Sequence, residues 1–193
     1  MLVFVLIGLL RIKMLCDPLY WYWKSELPDS VCDAIIVEGM KLTANAATVG
    51  GEGDRGKVDT SVRISKTAFF PSTSWVTGIT RNYMQQANDQ AWKFEITNPQ
   101  GPQFTIYDTN EHYGFHEDQA ILAESMRKLS LIIQLTDPSA YEGGDFEFAN
   151  CKPEVKERGS ILVFPSFLTH KVDAVTSGTR YSLVNWFLGP QFR

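Results

Sequence analysis

Apolar and polar positions along this chain follow two periods, and the change falls near residue 90. Before it, helical spacing dominates. Pro28-Asp29-Ser30 is a helix-start signal, and Val31, Ile35, Ile36 and Val37 give an apolar face running to about Met40. Ser72 or Ser74 can cap a second helix in which Trp75, Ile79, Tyr83 and Ala87 form an i, i+4 stripe. Val62 to Ala68 reads as a strand between them. From Ala91 onward the pattern becomes short strands separated by turn signals: Ala91 to Thr97, Gln103 to Tyr107, Gly114 to His116, Lys128 to Leu135, Asp145 to Phe148, Ser160 to Phe164, His170 to Ala174 and Tyr181 to Leu188. Asn98-Pro99, Asp137-Pro138, Gly143-Gly144, Pro165 and Ser177-Gly178 supply breaks. Many short strands at this spacing predict a sandwich or barrel. Two preceding helices suit buttressing of one sheet face. The expectation is a mainly β protein with buttressing α-helices.

Length and composition narrow the picture. The 193 residues suit one domain, with 1–13 a possible extension, 15–90 a helical support region and 91–193 the β core. Apolar content of 44% and charge of 21% are those of a globular protein. A net charge of −4 without a basic run gives no electrostatic footprint for nucleic acid. Cys16, Cys32 and Cys151 are odd in number and form no C-x-x-C pair, so reduced thiols in a reducing interior are expected. The apolar run Leu2 to Leu10 is too short to span a bilayer. Its basic residues, Arg11 and Lys13, follow the run, whereas a signal peptide carries them before it. It reads as an upstream extension before Met14 or as a buried first strand, and the protein as cytoplasmic with no membrane partner. Tyr20 to Trp23 suits an edge strand or a packing segment. The glycines between Gly50 and Gly56 lack phosphate-loop context and read as a flexible loop, a candidate lid.

Candidate chemistry comes from the histidines. The chain has three, and two of them fall in an H-x-D…H pattern of His116, Asp118 and His170. Residues at i and i+2 of an extended segment face the same way, so His116 and Asp118 can ligate one metal, with Glu117 pointing away. Two imidazoles and one carboxylate on one face of a metal leave the opposite positions open, as in the non-haem Fe(II) facial triad. Ten residues after His170 comes Arg180, with Ser182 two further on. The even spacing allows strand-turn-strand geometry to return Arg180 to the same pocket, where its fork can bind a carboxylate bidentately. Triad, arginine and hydroxyl together suit a dicarboxylate that chelates the metal at one end.

With Tyr141-Glu142-Gly143-Gly144-Asp145, Gly159-Ser160-Ile161-Leu162-Val163-Phe164-Pro165 and Gly178-Thr179-Arg180-Tyr181-Ser182 in the same order, the chain resembles the Fe(II)/2-oxoglutarate-dependent oxygenases of the prolyl 4-hydroxylase-like branch. The likeness covers about residues 60 to 190. It implies a double-stranded β-helix, the cupin-like jelly roll. It implies Fe(II) on His116, Asp118 and His170, and 2-oxoglutarate on Arg180 and Ser182. Tyr107, nine residues before His116, matches an active-site tyrosine, although the following Asp108-Thr109-Asn110-Glu111 is not glycine-rich as in some relatives. Gln134 stands where some relatives carry a tyrosine that reaches the distal carboxylate. His112 is expected at the pocket mouth, possible substrate contact included, while Trp186 can equally line the substrate side or pack in the core. Leu131 and Val163 are expected in the pocket wall. The implied reaction is hydroxylation of a prolyl residue in a peptide or protein by dioxygen, releasing succinate and carbon dioxide, with ascorbate as reductant. Alternatives are another residue or small molecule as substrate, or a jelly roll that binds metal without turnover. Oligomeric state is not legible.

Overall fold

The computed structural model describes residues 19–49, 56–122 and 125–192. Along the chain come β1 (Trp21–Trp23), α1 (Asp29–Gly39), β2 (Asn45–Ala46), β3 (Arg63–Ile64), β4 (Lys66–Phe69) and α2 (Trp75–Gln90). The second half holds β5 (Asn98–Pro99), β6 (Gln103–Tyr107), β7 (His112–His116), β8 (Ile121–Leu122), β9 (Ser125–Gln134), β10 (Tyr141–Gly143), β11 (Phe146–Phe148), β12 (Ile161–Pro165), β13 (His170–Val172), β14 (Val175–Gly178) and β15 (Arg180–Pro190). The Leu2–Leu10 run, Cys16 and nearly all of the Gly50–Gly56 loop lie outside the described residues. No described helix is long and apolar enough to cross a membrane.

Two antiparallel sheets face each other as a jelly roll. The larger runs β1-β12-β9-β15-β6-β4-β2, with β5 beside the far half of β15 and β8 beside the start of β9. The smaller runs β11-β13-β7-β3, and β10 pairs with β14 at one end. The expected strand Val62 to Ala68 is two strands: β3 pairs with β7 in the small sheet, β4 with β6 in the large one. The chain thus crosses between sheets at Ser65.

Side-chain parity then sets the layers. On the large sheet, Phe104, Ile106, Leu129, Leu131, Ile133, Ile161, Val163, Leu183 and Phe187 face the helices and form one core with Cys32, Ile35, Val76 and Met84. The opposite parity points between the sheets, where Tyr107, Phe146, Phe148, Leu162 and Phe164 form a second core. Leu131 and Val163 therefore belong to the helix-facing core; the walls of the inter-sheet cavity are Ile132 and Val184 instead.

Both helices differ in detail from the pattern. Ser74, not Ser72, caps α2, its side chain accepting from the Val76 N–H. The buried stripe is Val76, Thr80, Met84 and Ala87, one position round from the apolar residues that suggested it. Trp75 is 43% exposed, its indole N–H donating to Glu38. Thr80 is buried because its hydroxyl donates to Asn185 Oδ1 across the helix–sheet interface at 2.6 Å. On α1, Val37 is exposed, and the sheet is met by Cys32, Ile35 and Gly39. A Cβ on Gly39 would come within 2.6 Å of the Phe104 ring, so the close approach requires glycine.

Ala91 to Thr97 is not a strand. Asn88 clamps Phe94 through both its backbone groups, at 2.8 and 2.9 Å, and Lys93 takes a positive φ of 54°. Trp92, Phe94 and Ile96 pack on the helix-facing core from an irregular segment. The apolar alternation there recorded burial, and pairing begins only at β5.

Candidate active site

His116 ends β7 and His170 begins β13, and the two are direct partners in the ladder of the small sheet. Register alone brings their rings to 4.2 Å between centroids. Each Nδ1 lies 2.8 Å from a backbone carbonyl two residues earlier, Gly114 for His116 and Leu168 for His170. A carbonyl only accepts, so both Nδ1 atoms carry a proton and each Nε2 is left facing Asp118. Those Nε2 atoms lie 3.5 and 3.6 Å from the two oxygens of Asp118. One donor atom from each of the three residues falls within 4.8 Å of the others, an arrangement able to hold a metal ion.

Asp118 sits just past the end of β7, where the Gln119 N–H donates to Ser166 O and pins the turn. Its Oδ2 accepts a 2.7 Å hydrogen bond from Ser130, which in turn meets Ser166 at 2.9 Å. Burial works to raise its pKa, but His170 and His116 overcome this and hold the carboxyl well below its usual range. The indole N–H of Trp186 is close enough to add to that lowering without completing a hydrogen bond. Burial lowers the pKa of His170, with Asp118 opposing, which favours the neutral, ligating form. Glu117 points away, as expected, and accepts from the exposed Thr169 hydroxyl.

A narrow cavity of ≈ 30 Å³ opens beside these three residues, walled by Tyr107, Ile132, Arg180, Ser182, Val184 and Trp186 among others. Arg180 opens β15 opposite Tyr107 on β6. The guanidinium is 3% exposed and its Nε has no partner. Nη1 reaches Ser182 at 3.4 Å, and the Tyr107 ring centroid lies 5.5 Å from Cζ. A buried cation met only by neutral groups, the Ser182 and Tyr141 hydroxyls and a ring face, with its Nε unpartnered, is short of an anion. The residues present therefore fit a metal ion at the triad and a carboxylate at Arg180.

Among the residues singled out in the sequence, the fold brings Tyr107, Ser182 and Trp186 to this cavity with the triad and Arg180. Gln134 faces the same interior but on the far side of Arg180, in a second cavity of ≈ 330 Å³. Its amide donates to the Tyr141 hydroxyl at 2.8 Å. His112 lines neither cavity. Sequence reasoning missed Ser130, Tyr141 and the stack in which Arg63 covers Tyr113 at 4.4 Å and Tyr113 covers His116 at 3.4 Å. Burial pushes the Tyr113 phenol up to about 12, so it stays neutral. Ser130 and Gln134 carried a signal: they are polar residues on the inward parity of an apolar strand.

A jelly roll with two histidines and a carboxylate converging in its mouth, and an anion-seeking arginine behind them, defines a class: mononuclear non-haem metal oxygenases with an oxo-acid cosubstrate. Known proteins agree. The profile of the 2OG-Fe(II) oxygenase superfamily matches residues 102–188. A PKHD-type hydroxylase of Acinetobacter baumannii is 30% identical over 177 residues, covering 83% of this chain and 76% of that protein. The viral collagen prolyl hydroxylase of Paramecium Bursaria Chlorella virus-1, solved as a 2OG complex, has a TM-score of 0.67 at 19% identity, covering 90% of this chain and 98% of that one. A Trichoplax adhaerens prolyl hydroxylase, solved with a hypoxia inducible factor peptide, has a TM-score of 0.68 at 14% identity, covering 88% and 83%. The chain belongs to the 2OG-Fe(II) oxygenase superfamily, with PKHD-type hydroxylases among its relatives. Membership implies Fe(II) and 2-oxoglutarate.

Proposed function

We propose that the protein hydroxylates a prolyl residue in a peptide or protein, with His116, Asp118 and His170 as the Fe(II) ligands. The observation that carries this reading is the convergence of two imidazoles and one carboxylate within 4.8 Å, with Arg180, its Nε unpartnered, in the same cavity wall. With Fe(II) in place, the chemistry supplied is oxidative decarboxylation of 2-oxoglutarate to succinate and carbon dioxide. One oxygen atom of dioxygen goes to succinate and the other to the substrate C–H. The chain's own residues bind, orient and exclude water. Nδ1–H bonds to Gly114 and Leu168 hold the imidazoles in their ligating tautomer. Ser130 fixes the Asp118 carboxylate. Arg180 and Ser182 take the distal carboxylate of the cosubstrate, with the Tyr107 hydroxyl as a further donor. Gln134 acts one step back, holding Tyr141 beside the arginine.

The prolyl part of the reading is supported by the relatives: both solved neighbours are described as prolyl hydroxylases, one with a peptide bound. Substrate contact falls to Trp186 and Tyr113 in the cavity wall, with His112 outside it. Ascorbate serves as reductant. The test is 2-oxoglutarate turnover with Fe(II) and ascorbate across proline-containing peptides, in wild type and His116→Ala. Peptide-stimulated succinate release, lost in the variant, with one oxygen added at proline by mass spectrometry, is the expected result. Turnover that no peptide stimulates would leave an oxygenase of another substrate.

A further inference from the structure

Arg180 is held in place by its backbone more than by its side chain. The guanidinium meets only neutral hydroxyls and a ring face, and no carboxylate among the described residues pairs with it. That backbone sits at the end of a ladder. Arg180 opens β15, Tyr107 closes β6, and the two are direct partners. On the other flank β9 stops short, its last partner on β15 being Ser182. The terminal pair of a ladder frays unless something ties it.

Just past that pair, side chains make the tie. The Thr179 hydroxyl donates to Asp108 Oδ1 at 2.7 Å, joining the residue before Arg180 to the residue after Tyr107. Lys66 of β4 donates to the other oxygen, Oδ2. Bonds from Lys66 and Thr179 keep the Asp108 carboxyl below its usual range, so the Thr179 bond is charge-assisted. The turn that follows is fastened as well. The Asp108 N–H donates to Glu111 Oε2 at 2.9 Å, and Asn110, at a φ of +71°, donates its N–H to the Val175 carbonyl at 2.7 Å. Neither Asp108 nor Thr179 lines a cavity, so neither is placed to touch a ligand.

We infer that Asp108 and Thr179 are positioning residues for cosubstrate binding: their hydrogen bond closes the free end of the β6–β15 ladder and sets Arg180 opposite Tyr107. This rests on the reading that the distal carboxylate of 2-oxoglutarate meets Arg180. Without the clamp the last pair opens part of the time, and the apparent Kd rises as the competent fraction falls. Charge alone predicts the opposite sign. Asp108 is an anion one residue from an anion site, so its removal would tighten binding of a dicarboxylate.

Calorimetric titration of 2-oxoglutarate into the anaerobic, Fe(II)-loaded protein tests the clamp in Asp108→Ala, Thr179→Val, their double variant, Thr179→Ser and Arg180→Ala. Asp108→Ala and Thr179→Val should each raise Kd about three- to tenfold, the range that one net hydrogen bond supplies. The double variant should be no weaker than the worse single one, because the two residues act as a unit. Thr179→Ser keeps the hydroxyl and should restore wild-type binding. Fe(II) affinity should match wild type throughout. With Arg180→Ala weakened, a Kd at or below wild type in both single variants would overturn the clamp and leave the cosubstrate site intact. Additive losses in the double variant, no rescue by Thr179→Ser, or a parallel loss of Fe(II) affinity would overturn it too. Wild-type 2-oxoglutarate affinity in Arg180→Ala would instead remove the cosubstrate reading, and the clamp with it.

Discussion

Ser130 illustrates how a single side chain can govern a site it does not belong to. Its hydroxyl donates to Asp118 Oδ2 from the middle of β9. Removing such a support typically lowers metal affinity about 10–100-fold. Ser130→Ala is therefore expected to weaken Fe(II) binding by that factor, read by calorimetry, with little change in Tm; unchanged affinity would mean that Asp118 needs no orienting partner. Gly144 acts on Arg180 in the same indirect way. It holds a φ of +62°, and a Cβ there would lie 2.9 Å from Arg180 Cδ. Gly144→Ala should weaken 2-oxoglutarate binding and leave Fe(II) binding unchanged. Gly143→Ala, whose Cβ would meet the Ala174 carbonyl at 2.3 Å, should mainly lower Tm. The triad, Arg180 and Ser182 were legible in the sequence because their chemistry is rare and their spacing is even, whereas Tyr107 was reached through the family resemblance alone. Ser130 and Tyr141 were harder to read, since their partners Asp118 and Arg180 are distant in sequence and a fold is needed to bring them together.

The strands carry the site through parity. β9 presents Leu129, Leu131 and Ile133 to the helices and Ser130, Ile132 and Gln134 to the space between the sheets, where Ser130 meets Asp118 and the other two line the cavities. Ser130 and Gln134 mark the inward parity, yet Leu131, on the opposite parity, was expected in the pocket wall. Leu131→Ala is expected to cost about 2–5 kcal/mol of stability, the usual range for a fully buried leucine. It should leave the 2-oxoglutarate Kd unchanged. Denaturant unfolding beside a binding isotherm checks both halves, and a binding defect without a stability defect would contradict the parity assignment. The helices misled for the opposite reason. Thr80 is buried by its hydrogen bond to Asn185, and Trp75 is drawn outward by Glu38, so the apolar stripe read from α2 is rotated from the buried one. In residues 91–97 the Asn88 clamp replaces a ladder. Side-chain hydrogen bonds of this kind are invisible to a pattern of apolar positions.

At the scale of the whole molecule, the two sheets divide the labour. The small sheet supplies both histidines from neighbouring strands, and the large sheet supplies Arg180, Ser182, Tyr107 and Ser130 from β15, β6 and β9. The helices seal the outer face of the large sheet, which frees its inner face to carry polar groups that a single-layer core would exclude. Metal binding thus depends on residues apart from Arg180 and should survive loss of the cosubstrate site. The most direct measurement is anaerobic calorimetric titration of Fe(II), then 2-oxoglutarate, into wild type, His116→Ala and Arg180→Ala. The account predicts that His116→Ala loses metal and with it the cosubstrate. Arg180→Ala should keep the metal and bind 2-oxoglutarate about 2–5 kcal/mol more weakly, roughly 30-fold or more in Kd. Wild-type Fe(II) affinity in His116→Ala, or wild-type 2-oxoglutarate affinity in Arg180→Ala, would contradict it.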